Sequence, residues 1–140
     1  MRFMIMVRAN GDTEADVKPD EQLIADMATY HEELAKAGAL VDASGLQPSS
    51  KGWRIRYSGR NRTVVDGPYT EAKELIAGYT IFRAKSREEA LEWTKRFPNP
   101  FPHGRDSEIE VRPIKDLKEL GDSEAVERFR ELGVGIEKQS

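Results

Sequence analysis

The 140-residue chain contains no cysteine. Disulfides, thiolate metal sites and cysteine nucleophiles are therefore excluded. Histidine is scarce as well, with only His31 and His103, and the two are not at a zinc-binding spacing. No glycine-rich phosphate loop and no nucleophile elbow occurs anywhere. The acidic stretch Asp12-Thr13-Glu14-Ala15-Asp16 lacks the glycine and closing glutamate of a calcium loop. The expectation is a protein with no metal and no cofactor. Long apolar runs are missing too. Phe3 to Val7 is an apolar run of five residues after Arg2, short of both a signal-peptide core and a membrane span. No membrane partner is expected, and the sequence reads as a cytoplasmic protein. A net charge of −3 supplies no concentrated basic surface, so nucleic acid is not an expected partner.

What is present suits an ordinary folded domain, with 38% apolar and 34% charged residues and enough length for one real core. Phe3 to Val7 is apolar at every position, as a strand covered on both faces would be. Asn10 to Lys18 is polar and reads as a loop. Asp20 offers a helix N-cap, and Leu23, Met27, Tyr30 and Leu34 recur at helical spacing until Gly38 supplies a stop. Leu40 to Ala43 is a short second strand. Trp53, Ile55 and Tyr57 alternate with Arg54, Arg56 and Ser58, the pattern of a half-buried strand. Ser58-Gly59-Arg60-Asn61 turns it into Thr63-Val64-Val65 as a hairpin.

The corner Asp66-Gly67-Pro68-Tyr69 follows. Gly67 is able to take a positive φ, Pro68 fixes its own φ, and the Asp66 carboxylate is placed to close an Asx-type turn. Thr70 is expected to cap a helical turn through Glu74. Ile76 to Phe82 is a second doubly apolar strand. Ser86 and Glu89 have the spacing of a capping box, opening a helix that Pro98 ends. Asn99 to Arg105 is a stiff loop. Ile109 and Val111 mark a last strand, and Asp122 to Leu132 a tail helix with Val126, Phe129 and Leu132 on one face.

With the hairpin set aside as an insertion, the order is β-α-β-β-α-β, a ferredoxin-like α+β arrangement. Its central strands are the first and third, and here those are the two doubly apolar runs. Helices cover one face of such a sheet, so the other needs a partner. A homodimer joined sheet to sheet is the expectation, since each buried Val, Ile or Phe contributes roughly 1.5–3 kcal/mol.

At these residues the chain resembles the YCII-related, DGPF-domain family. The likeness is carried by Phe3-Met4-Ile5-Met6-Val7, Gly45-Leu46-Gln47-Pro48-Ser49-Ser50, Asp66-Gly67-Pro68-Tyr69 and Thr70-Glu71-Ala72-Lys73-Glu74. It continues through Ile76-Ala77-Gly78-Tyr79, Glu88-Glu89-Ala90-Leu91-Glu92-Trp93 and Ile109-Glu110-Val111-Arg112. It spans residues 1–114, leaving 115–140 as a C-terminal extension with a short helix. The resemblance implies a dimeric α+β barrel. In the wider superfamily some members use a His–Asp pair in a dimer cleft, among them small-molecule lyases and dehalogenases, while most DGPF-domain proteins have no assigned reaction. Two positions depart from that pattern. Tyr69 stands where the signature has phenylalanine, and His31 lies one turn after the usual histidine place, to which Met27 is nearer.

The candidate catalytic residues are thus His31 and Asp66. His31 sits at the border of the apolar helix stripe, either a general base beside the sheet or a boundary residue reaching water. Asp66 either orients a histidine or bonds its own turn. Tyr69, Tyr30, Arg54 and Arg56 are candidate ligand-binding residues: two phenols able to donate, and a guanidinium pair suited to a carboxylate or phosphate. The same residues also read as an aromatic anchor, a core tyrosine and a solvated strand face. His103 reads as a surface turn residue. Two functions follow: a protein that binds a small molecule in a cleft near the dimer interface, or acts there as a cofactor-free acid–base enzyme, and, as the alternative, a non-enzymatic dimeric interaction or regulatory module.

Overall fold

A computed structural model describes residues 1–101 and 106–137. Six strands and four α-helices run in the order β1 (Arg2–Arg8), α1 (Gly11–Glu14), α2 (Glu21–Lys36), β2 (Leu40–Gly45), β3 (Trp53–Ser58), β4 (Asn61–Asp66), β5 (Ile76–Arg83), α3 (Arg87–Lys95), β6 (Ile109–Pro113) and α4 (Glu124–Leu132). Four strands form one antiparallel sheet in the order β2-β5-β1-β6, while β3 and β4 pair only with each other. This is the ferredoxin-like α+β order with a hairpin inserted before its third strand. The doubly apolar runs are its two central strands, β1 and β5.

Alternation decides what each face carries. Phe3 and Ile5 of β1, with Thr80 and Phe82 of β5, are buried under α2 and α3, where Tyr30, Leu34 and Ala90 complete the core. Met4, Met6 and Ile81 point the other way and are only half-buried. Helix α2 begins where the Asp20 carboxylate accepts the Leu23 amide at 2.8 Å. It stops at Gly38, whose φ of +70° is the left-handed closing conformation. Ser86 accepts the Glu89 amide at 3.2 Å to open α3, but the returning Glu89 carboxylate takes the Lys85 amide at 3.0 Å, one residue earlier than a capping box would have it.

Several local expectations change. The Asn10–Lys18 loop contains the one-turn α1, held by reciprocal Asn10 and Thr13 bonds. The 3-10 turn at Ala72–Glu74 has no side-chain cap, so Thr70 does not play that part. In α4 only Val126 is buried, while Phe129 and Leu132 face solvent. The tail nonetheless folds back: Glu137 receives the Met1 ammonium at 3.1 Å and lies 3.7 Å from Arg83. The largest difference is β3. Its alternation is as read, but among the described residues nothing covers its apolar side, and Trp53 and Tyr57 are 66% and 68% exposed. The hairpin projects from the domain instead of packing on it.

Candidate functional site

The N-terminal half of α2 does not close onto the sheet as its C-terminal half does. Tyr30 and Leu34 fill the core, but Leu23 and Met27 of the same stripe roof a cavity of about 420 Å³. Its floor is β2 and β5, from Ala43 to Gly45 and from Ala77 to Thr80, and its end wall is Phe97, Pro100 and Phe101. Small residues on the floor make the space. Gly78 leaves no side chain there, and a Cβ at that position would already press on the Ser44 carbonyl oxygen at 3.1 Å. Among the described residues, no Asp, Glu, Lys or Arg lines this cavity.

His31 also lines it and is fixed from both sides. Its Nδ1 lies 2.7 Å from the Met27 carbonyl oxygen one turn back, and its Nε2 lies 2.8 Å from the Thr80 hydroxyl. A carbonyl oxygen only accepts, so Nδ1 carries the hydrogen. In the neutral ring Nε2 then accepts from Thr80, and in the cation the direction of that bond reverses. Edge contacts from Tyr30 and Phe97, with ring centroids 5.5 and 6.3 Å away, hold the imidazole upright. The result is an imidazole of defined tautomer at the edge of an apolar space, with a hydroxyl beside it.

Thr80 did not stand out in the sequence. The signal was there: one hydroxyl, 3% exposed, on the inward side of an otherwise apolar strand. A buried hydroxyl needs a partner, and His31 supplies it.

The structure gives His31 to Met27 and Thr80, and not to Asp66. Asp66 is exposed at the end of β4, opposite Trp53, and among the described residues its carboxylate makes no hydrogen bond or ion pair. The corner it belongs to is closed by other groups. Ser49 donates its amide at 3.0 Å and its hydroxyl to the Glu14 carboxylate, and accepts the Tyr69 amide at 3.0 Å. Gly67 does not use the positive φ that is open to a glycine. It is required because a Cβ there would sit 1.9 Å from the Ser49 carbonyl oxygen.

Of the remaining candidates, Tyr69, Arg54 and Tyr30 are engaged with other groups. The Tyr69 hydroxyl donates to the Val65 carbonyl at 2.7 Å, and its ring carries the Arg54 guanidinium at 3.6 Å. Arg56 projects into solvent beside Arg54 on the hairpin. The Tyr30 hydroxyl donates to the Trp93 carbonyl at 2.8 Å. Burial pushes that phenol up to about 12, with Arg96 opposing and Glu33 adding. It stays protonated at neutral pH and is not a base. His103 lies outside the described residues. Among the described residues no three metal-ligating side chains gather, and no helix is long and apolar enough to cross a membrane.

Comparison with known proteins gives three likenesses. An uncharacterized protein of Rhizobium meliloti is 30% identical over 95 residues, 68% of this chain and 75% of that one. The 5-chloro-2-hydroxyhydroquinone dehydrochlorinase of Burkholderia phenoliruptrix, solved in complex with 2,5-dihydroxybenzoquinone, is 16% identical with a TM-score of 0.41. That alignment covers 83% of this chain and 95% of the dehydrochlorinase, but at such a score it says nothing of chemistry here. The model of the YCII-related domain matches residues 1–118, and this chain belongs to the YCII-related family.

Proposed function

We propose that the chain binds a small, uncharged, largely apolar molecule in the cavity beneath α2, with His31 as the acid–base group that meets it. The observation that carries this is the pairing of an apolar space, whose described lining residues carry no Asp, Glu, Lys or Arg, with an imidazole of fixed tautomer at its edge. A ligand carboxylate or phosphate would find no guanidinium or ammonium among the described lining residues to compensate its lost hydration. A ligand hydroxyl or a weakly acidic C–H, by contrast, finds an acceptor at Nε2 once Thr80 yields it, and the proton taken there is returned by the same nitrogen. The volume suits a molecule of one or two rings.

The homodimer belongs to the same proposal. The half-buried reverse face with Met4, Met6 and Ile81 is suited to a second copy, which would shield apolar surface the helices do not cover. Asp66 and Arg56 lie away from the cavity and take no part in this reading.

The test uses the neutral fluorophore N-phenyl-1-naphthylamine as probe. Gly45 lines the cavity and has open space where its Cβ would be, so Gly45→Phe sets a ring into the site. Wild type should raise and blue-shift the probe's emission, Gly45→Phe should not, and neutral ring compounds carrying a hydroxyl should displace it. No enhancement with wild type, or equal enhancement with Gly45→Phe, would overturn the proposal. The reading as an interaction module is favoured by a different observation, the bare hairpin.

A further inference from the structure

Hairpin β3–β4 presents two unlike faces. Opposite residues in an antiparallel pair share a face, so Trp53 and Asp66, Ile55 and Val64, and Tyr57 and Arg62 make three rows on one side. Every one of the six is exposed. The middle row is aliphatic, each outer row has one aromatic ring, and the two charges are opposite in sign. Arg62 leans over Tyr57, 5.1 Å from its ring centroid. Neither Arg62 nor Asp66 has an ion pair among the described residues. A two-stranded sheet with one face bare is marginal in water, and an apolar strip with a charged rim is the form of an interaction surface.

We propose that this face docks on the same face of a second copy, related by a two-fold axis lying across the strands along the Ile55–Val64 row. The charges choose the occupant and the axis. Turning a copy about that axis exchanges the two ends, some 13 Å apart at four residues of strand rise. Asp66 of each copy then meets the position of Arg62 of the other, Trp53 meets Tyr57, and the aliphatic row meets itself. A two-fold axis along the strands would instead set both charges against aromatic rings and leave them unneutralised. The arrangement is self-complementary in every row, as an isologous contact requires. The strip offers roughly 450 Å² per copy from its four apolar side chains, which makes a weak contact by itself. Its residues are separate from the reverse face of the sheet and from the cavity.

Sedimentation and light scattering at about 100 µM chain test it. Arg62→Asp makes the rim wholly acidic and Asp66→Arg makes it wholly basic. Each variant alone should have a lower mean mass than wild type, with association weakened about tenfold or more. An equimolar mixture of the two should regain the wild-type mass, because each rim then meets its opposite. Val64→Asp, at the centre of the strip, should lower the mass whatever the rim carries, and circular dichroism confirms that each variant is folded. Wild-type mass in the single variants, or no recovery on mixing folded variants, would overturn the proposal. So would a surface that binds other proteins but leaves the chain's own mass unchanged by all three substitutions.

Discussion

Thr80→Val tests the link between core and site. Valine keeps the branched shape of threonine in a strand position that is 3% exposed, so packing is largely preserved. What is lost is the hydrogen bond from the Thr80 hydroxyl to His31 Nε2, 2.8 Å long. A neutral hydrogen bond contributes about 1 kcal/mol net, and a partner left unsatisfied by burial costs about 1–3 kcal/mol. His31 is only half-buried and borders an open cavity, so water is able to reach Nε2 and the penalty falls at the low end. The expected destabilisation is about 1–2 kcal/mol by urea unfolding, a fall in Tm of roughly 3–8 °C for a chain of this size. A cycle with His31→Gln separates the bond from other effects of the substitution, and a coupling of about 0.5–1.5 kcal/mol is expected. Long-range ¹H–¹⁵N spectra provide the second readout. In wild type Nδ1 should carry the hydrogen, and it should still do so in Thr80→Val, because the Met27 carbonyl and not Thr80 fixes the tautomer. Zero coupling, or an Nε2-protonated ring in wild type at alkaline pH, would refute the assignment of His31 as an oriented base.

Three further outcomes are expected. Gly67→Ala places a methyl where the Ser49 carbonyl oxygen stands 1.9 Å away, so the corner must open, at a cost of roughly 2–4 kcal/mol in urea unfolding; a cost under about 0.5 kcal/mol would contradict the close approach. Asp66→Asn should leave the melting temperature and probe binding nearly unchanged, since the carboxylate is exposed and the corner is held by Ser49 and Glu14; loss of folding would restore it as a turn residue. Tyr30, raised to about 12 in the folded chain and about 10 unfolded, binds its proton more tightly when folded. Its contribution is therefore complete below pH 10 and lost as pH climbs towards 12, on the order of 2–3 kcal/mol. Tyr30→Phe should flatten that part of the stability profile, and an unchanged slope would show that the phenol titrates normally.

Local chemistry in the sequence determined most of the secondary structure. Two runs that offer apolar side chains to both faces of a sheet were legible as its central strands, β1 and β5. The spacing of Leu23, Met27, Tyr30 and Leu34, with Asp20 before and Gly38 after, specified α2. Topology followed from the order of these pieces. Tertiary structure alone decided which side chains meet. The stripe on α2 is uniform as a pattern, yet half of it fills the core and half roofs a cavity, because the floor beneath differs in side-chain size. His31 was legible as a residue near the sheet, but its partner, Thr80, lies 49 positions away, and no periodicity specifies such a contact. Asp66 looked like the turn's own acceptor because local bonds are the only ones a sequence displays; Glu14 and Ser49 took that work from a distance. The hairpin's alternation was correct and its burial was not. A period of two says which residues share a face, and only the arrangement of the other layers says whether anything covers it.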